Sequence, residues 1–143
     1  MNNHRYQVDG FYDVSRRLTF RGGYRRVWGD AQLRAGQVNP YGPRELGELR
    51  QNVGIAGINF RPSAGASWNA EYEGSSAGRV YFRTSLANYH RLRLRGRQPL
   101  HSSLLLGFNY YLMDNRNPFA AESFRAATQW KSVSQAASIA LHW

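Results

Sequence analysis

Arg91, Arg93, Arg95 and Arg97 alternate with Leu92, Leu94 and Gly96 in one short stretch, and Glu71 and Glu73 stand two residues apart upstream of them. Arg21 and Arg25 lie on a similar alternation nearer the start. Side chains two apart on an extended strand share a face, so each set forms a charged row. A guanidinium row holds anions, or pairs with carboxylates from neighbouring strands through forked hydrogen bonds. The available carboxylates are Glu71, Glu73, Glu48 and Asp13. In a wide pore such rows set up an anion-favouring field. In a narrow barrel, whose interior is just filled by side chains, they form an internal ion-pair network instead.

Other chemistry finds little footing. There is no Cys, which excludes disulfides, Cys-ligated metals, haem attachment and thiol nucleophiles. The His residues, at 4, 90, 101 and 142, have no metal-ligand spacing, and no G-x-S-x-G surrounds any Ser. Gly22-Gly23 and the Gly54 to Gly57 segment fall inside strand-like patterns, where glycine marks close packing or bending more often than a phosphate loop. Asp114-Asn115-Arg116-Asn117 reads as a loop before it reads as a calcium site. The expectation is therefore no catalytic residue, no metal and no cofactor. An enzyme, as an alternative, needs a Ser–His or His–acid cluster at one rim.

The net charge is +10, and Lys131 is the only Lys among 19 basic residues. Arg in place of Lys suits partly dehydrated, planar contacts. The same rows carry a second alternative: Arg91, Arg93 and Arg95, with Tyr89, Phe108, Tyr110 and Tyr111, as the face of a soluble basic β-domain binding single-stranded nucleic acid. No helix is evident where an oligonucleotide-binding barrel of that kind would have one, and the reading adopted has no nucleic-acid partner.

The elements that position these residues have a period of two. Leu104, Leu106, Phe108, Tyr110 and Leu112 fall on one face of their segment; Ala137, Ile139, Leu141 and Trp143 do the same at the end. Similar alternation runs from Tyr6 to Val14, Leu18 to Arg25, Val53 to Arg61 and Ala66 to Glu73. Short turns are expected around Ser15, Pro62 and Pro99, the last at Gln98 to His101. Long polar connections are expected over Gly29–Leu46, Gly74–Asn88 and Asp114–Thr128. Arg79 to Leu86 is either an eighth strand or an ordered part of a loop.

Short turns at one rim and long loops at the other, with strands of about 10–12 residues, are the pattern of a transmembrane β-barrel. The reading is thus an all-β antiparallel transmembrane barrel or meander of seven or eight strands. It occupies residues 1–143 as one domain, or as the C-terminal part of a larger barrel. Arg21, Arg25, Glu71, Glu73, Arg91, Arg93 and Arg95 line the lumen. Tyr12, Tyr24, Trp68, Tyr72, Tyr110 and Trp143 sit at the membrane interfaces. No apolar run is long enough for a transmembrane helix, and the start lacks the apolar centre of a signal peptide, so export implies a removed signal or a longer chain.

Gly78 to Leu86, Tyr89 to Arg95 and Leu104 to Pro118 resemble repeated segments of large bacterial outer-membrane barrels, porin-like proteins that include barrels sheathing periplasmic multihaem cytochromes. The likeness spans roughly residues 48–143. It implies an uninterrupted antiparallel meander with a polar interior, set in the bacterial outer membrane with the lipid bilayer as partner and a periplasmic or outer-membrane protein as a further one. The Cys-containing signature of some cytochrome-sheathing barrels is absent. An aromatic last residue after alternating apolar positions also resembles the signal read by outer-membrane assembly machinery, although Gln135 breaks the pattern.

Overall fold

The computed structural model describes residues 2–33, 45–79, 86–119 and 128–143. They form seven strands: β1 (Asn2–Ser15), β2 (Leu18–Leu33), β3 (Glu45–Phe60), β4 (Ser67–Arg79), β5 (Tyr89–His101), β6 (Leu104–Phe119) and β7 (Thr128–His142). Each pairs antiparallel with the next, giving one sheet in the order β1 to β7. No helix among the described residues is long and apolar enough to cross a membrane, which bears on helices alone.

The sheet is open. Because every neighbour reverses direction, β1 and β7 run the same way, and no contact joins them. Direct closure would make a parallel pair, which an uninterrupted antiparallel meander does not contain. The expectation of a small closed eight-strand barrel is therefore not met. Arg79 ends β4 and Leu86 lies in a bend, and the rest of the stretch considered for an eighth strand is outside the described residues.

Several strands run further than their side-chain alternation suggests, because a backbone ladder continues wherever a partner strand offers donors and acceptors. The β2–β3 ladder reaches Leu33↔Glu45, well into the expected loop. Asp114 to Phe119, expected as loop, belongs to β6 and pairs with β7. The expected loop from Gly74 likewise begins as β4. Beyond the last β4–β5 pair, Gly74↔His90, the side chain of Asn88 stands in for a strand. Its Oδ1 accepts from the Ala77 amide at 2.7 Å, and its Nδ2 donates to the Ala77 carbonyl at 3.2 Å. On its other side the Asn88 carbonyl accepts from the Arg116 amide at 2.7 Å, and its own amide donates to Asn117 Oδ1 at 3.0 Å.

The three short turns lie at one rim. Arg16-Arg17 joins β1 to β2, residues 61–66 join β3 to β4, and Ser102-Ser103 joins β5 to β6. The reversal expected at Gln98–His101 is thus displaced: Pro99 lies inside β5, at a register irregularity where a missing amide donor is tolerated. Gly65 has φ +79°, and a Cβ there would also meet Pro99 Cγ at 3.1 Å, so the turn requires glycine on both counts.

The distribution of apolar residues is inverted relative to a soluble sheet. Among the described residues the buried apolar cluster is Val53, Ile55 and Tyr89. Val8, Tyr12, Phe20, Trp68 and Leu141 are exposed, and Ile139 is 78% exposed. They share the face of the sheet opposite the arginine rows. The charged face is the less exposed one, as on the inside of a curled sheet. A single layer with its apolar side uncovered has no core of the usual kind.

Gly96, on the apolar face, lies beneath the Phe108 ring; a Cβ there would overlap it. Phe108 in turn packs edge-on against Trp68, with centroids 5.2 Å apart. Gly96→Ala is expected to push the ring aside and cost about 1–3 kcal/mol, measured as a shift in the denaturation midpoint. An unchanged midpoint would show that the ring over the glycine contributes nothing.

Candidate functional site

The register aligns the charged residues into rows across the strands. Phe11, Arg21, Gly57, Glu71, Arg93, Tyr111 and Ala136 are successive partners from β1 to β7. Arg21 and Glu71 stand on strands separated by β3, and Gly57 between them carries no side chain. Arg21 therefore crosses it, with Nη1 donating to Glu71 Oε2 at 2.8 Å. A Cβ at Gly57 would already lie 3.4 Å from Arg21 Cβ, so a long side chain there would fill the crossing. On its other side Arg21 donates from Nη2 and Nε to Asp9 Oδ1 at 2.8 and 3.1 Å. One planar fork thus serves two carboxylates, which a Lys ammonium could not do with the same geometry.

Glu73 is the more deeply set junction, 5% exposed. Its Oε2 accepts from Arg25 Nη2 at 2.9 Å and from the Tyr89 hydroxyl at 3.0 Å, and Oε1 contacts Arg91 Nη2. Arg25 also donates to the Tyr89 oxygen at 3.0 Å. Two guanidinium groups and a phenol thereby converge on one carboxylate, Arg25 from β2 and Tyr89 and Arg91 from β5. Beside it, Gln51 Nε2 donates to Ser75 Oγ at 2.8 Å and to the carbonyls of Leu86 and Ala87 at 3.0 and 3.2 Å. These bonds hold the segment entering β5 down over the polar face.

Arg21, Arg25, Glu71, Glu73, Arg91, Arg93 and Arg95 all lie on this one face, but they are not equivalent. Arg21, Arg25 and Arg91 are matched by carboxylates within hydrogen-bonding range. Arg93 is held loosely: its Nη1 is 3.7 Å from Glu71 Oε1, and its guanidinium lies 5.8 Å from the Tyr111 ring centre. Arg95 and Arg97 have no charged or hydrogen-bonding partner among the described residues. Of the carboxylates considered at the outset, Asp13 accepts from Thr19 Oγ1 at 2.6 Å instead of pairing with an arginine, and the side chain of Glu48 lies outside the described residues. Asp9 is not among the carboxylates that spacing suggests, and Tyr89 and Gly57 serve other ends than the base-stacking ring and the close-packing glycine that the sequence suggests. The alternation placed Asp9 on the correct face, but only the register brings it to Arg21.

The aromatic residues divide by face. Tyr12, Tyr24, Trp68, Tyr72 and Trp143 are exposed on the apolar side, with Tyr110 half-buried there. Three carry polar contacts of the kind an interfacial ring makes: Tyr24 OH donates to Asn52 Oδ1 at 2.6 Å, Trp68 Nε1 to Gln98 Oε1 at 3.3 Å, and Tyr72 OH lies 2.5 Å from His90 Nδ1. Of the rings considered with Arg91, Arg93 and Arg95 as a base-stacking surface, Phe108 and Tyr110 point to the opposite face. Tyr89 shares the arginine face but is buried and bonded to Glu73.

The histidines are dispersed, and among the described residues no three His, Asp or Glu converge as a metal site. His101 Nδ1 lies 3.2 Å from Ser102 Oγ and 3.5 Å from Ser103 Oγ in the exposed β5–β6 turn. No carboxylate orients that imidazole among the described residues, so the pair lacks the third member that makes a Ser–His couple a nucleophile. Compared with protein-family models, with curated proteins and with solved structures, the chain has no match.

Proposed function

We propose that this sheet is a sector of an outer-membrane β-barrel wall, its apolar face against lipid and its polar face lining a passive, anion-favouring lumen. The observation that carries this is the inversion of the sheet: exposed Val, Leu, Ile, Phe, Tyr and Trp on one side, and on the other, less exposed side an ion-paired network of Arg, Glu, Asp and Tyr centred on the buried Glu73 and Tyr89. Water as the only surroundings would favour the reverse. Along β6 the apolar positions from Leu104 to Leu112 run about 27 Å. With a strand tilt of ~40° that is roughly 20 Å along the membrane normal, near the apolar height of barrel walls. Because β1 and β7 run the same way, closure takes an odd number of further antiparallel strands. A wall larger than these seven strands supplies them.

The test uses the chain folded in phospholipid vesicles whose acyl chains carry bromine. Trp68, on the apolar face, is expected to be quenched, and the chain to partition into detergent. A monomer that stays soluble and folded without detergent, and binds oligonucleotides with a steep salt dependence, would sink the proposal in favour of a soluble nucleic-acid-binding domain.

A further inference from the structure

The polar face is not uniformly neutralised, and its uncompensated charge is concentrated in one place. Between β5, β6 and β7 lies a trough of about 300 Å³, lined on the polar side by Arg93, Arg95, Asn109, Tyr111 and Ser138. β7 contributes only small residues here, Ala136 beside Tyr111 and Ser138 beside Asn109, so the long side chains of β5 have open space across the sheet. Asn109 Nδ2 donates to Ser138 Oγ at 3.4 Å, which leaves the Ser138 hydroxyl proton directed elsewhere.

The charged residues that line the trough, Arg93 and Arg95, are both cations. Glu71 is the nearest carboxylate in register, and its short contact is to Arg21 at 2.8 Å, against 3.7 Å to Arg93. In the row of Arg95 the only acid is Asp13, four strands away at β1. At ~4.8 Å per strand that is about 19 Å, well beyond the screening length at physiological salt. Arg93 and Arg95 project from positions two apart on one strand, roughly 6.6 Å at their Cα atoms. Their guanidinium groups are therefore able to close on a single tetrahedral anion from two sides, with the Asn109 amide and Ser138 hydroxyl as neutral donors.

We infer that this trough is a binding subsite for a multiply charged oxyanion, a phosphate group on a small solute, with Arg95 as its principal ligand and Arg93 as its second. The inference rests on the polar face lining an aqueous space. The ion-paired rows of Glu71 and Glu73 form the wall, and the Arg93–Arg95 trough is where that wall meets a passing anion.

Titration calorimetry of the detergent-folded chain with inorganic phosphate tests it. Saturable binding is expected, weakened at least tenfold in Arg95→Gln, since a charge-assisted hydrogen bond is worth that much. Arg95→Lys is expected to retain part of the affinity. Arg26→Gln, an exposed arginine on the opposite face, is expected to bind as the unaltered chain does. Arg95 has no charged or hydrogen-bonding partner among the described residues to lose, so these variants should fold. Equal weakening in Arg95→Gln and Arg26→Gln would reduce the site to diffuse net charge, and no saturable binding by folded protein would overturn it. Loss of phosphate binding with Trp68 still quenched by brominated lipid removes the subsite alone. Phosphate binding through Arg95 in a detergent-free monomer keeps the subsite and removes the membrane reading.

Discussion

Glu73→Ala is expected to destabilise the folded sheet by about 3–5 kcal/mol, the usual cost of removing one partner from a buried ion pair. The loss arises less from the missing bonds than from what is left behind. Arg25 and Arg91, with side chains 15% and 16% exposed, both direct a guanidinium nitrogen at this carboxylate. Arg25 keeps the Tyr89 hydroxyl, which itself loses its acceptor, and Arg91 keeps only the Tyr89 ring, 5.8 Å from its guanidinium. Two poorly hydrated cations would then face each other across β3 and β4. A domain's whole stability is of order 5–15 kcal/mol, so the variant should unfold at far lower denaturant, or fail to assemble. Glu71→Ala is the comparison: Arg21 keeps Asp9, Arg93 was held at 3.7 Å, and the loss should be clearly smaller. Equal effects for the two, read from denaturant midpoints in detergent, would show that the network is solvated throughout and that Glu73 is no junction.

Leu94→Arg is expected to cost about 2–4 kcal/mol in a bilayer, the penalty for a cation at the centre of a lipid-facing strand. Leu94 lies in the row Tyr12, Phe20, Ile58, Ala70, Leu94, Tyr110 and Ala137, midway along the apolar face. Arg93 and Arg95 on either side of it in sequence emerge on the other face, so the substitution moves the same guanidinium through the sheet by one residue. In water that change costs little, because Leu94 is only half-buried and a guanidinium there reaches solvent. In lipid it is among the most damaging single changes available to this chain. Folding yield in phospholipid vesicles measures it, and a Leu94→Arg protein that folds as readily as its parent would remove lipid from the apolar face.

Glu73 and Leu94 are not equally legible in the sequence. Leu94 on one face and Arg93 and Arg95 on the other follow from alternation, because a strand has no choice but to point successive side chains oppositely. The same rule placed Arg21, Glu71 and Glu73 together, and Tyr12, Trp68 and Ile139 opposite them. The significance of Glu73 over Glu71 was not visible. Both are Glu, two residues apart, flanked by Ala, Tyr and Gly. What separates them is the register: Glu73 meets Arg91 directly and Arg25 diagonally, beneath the segment that Gln51 and Asn88 hold in place.

Strand ends were the weakest part of the sequence reading for a related reason. Polar residues such as Asp114 to Asn117 look like loop, yet their backbone pairs with β7, and Asn88 bonds to Arg116 and Asn117 from the other side. Such partners are remote in sequence and leave no local pattern. The turn at Ser102-Ser103 was misplaced onto Pro99 because proline is the stronger turn signal, whereas here it occupies a register irregularity within β5.

By itself, then, the sequence determined the strand period, the two chemically opposed faces, the rims with short and long connections, and the absence of thiol chemistry. These depend on each residue's own geometry and composition. Only the tertiary structure decided that the meander stays open with parallel edges, that Gly57 lets Arg21 reach Glu71, and that Arg95 is left without a carboxylate while Arg25 and Arg91 share one. Those depend on register between strands, which is set by summed pairing across the whole sheet and by no single segment of the chain.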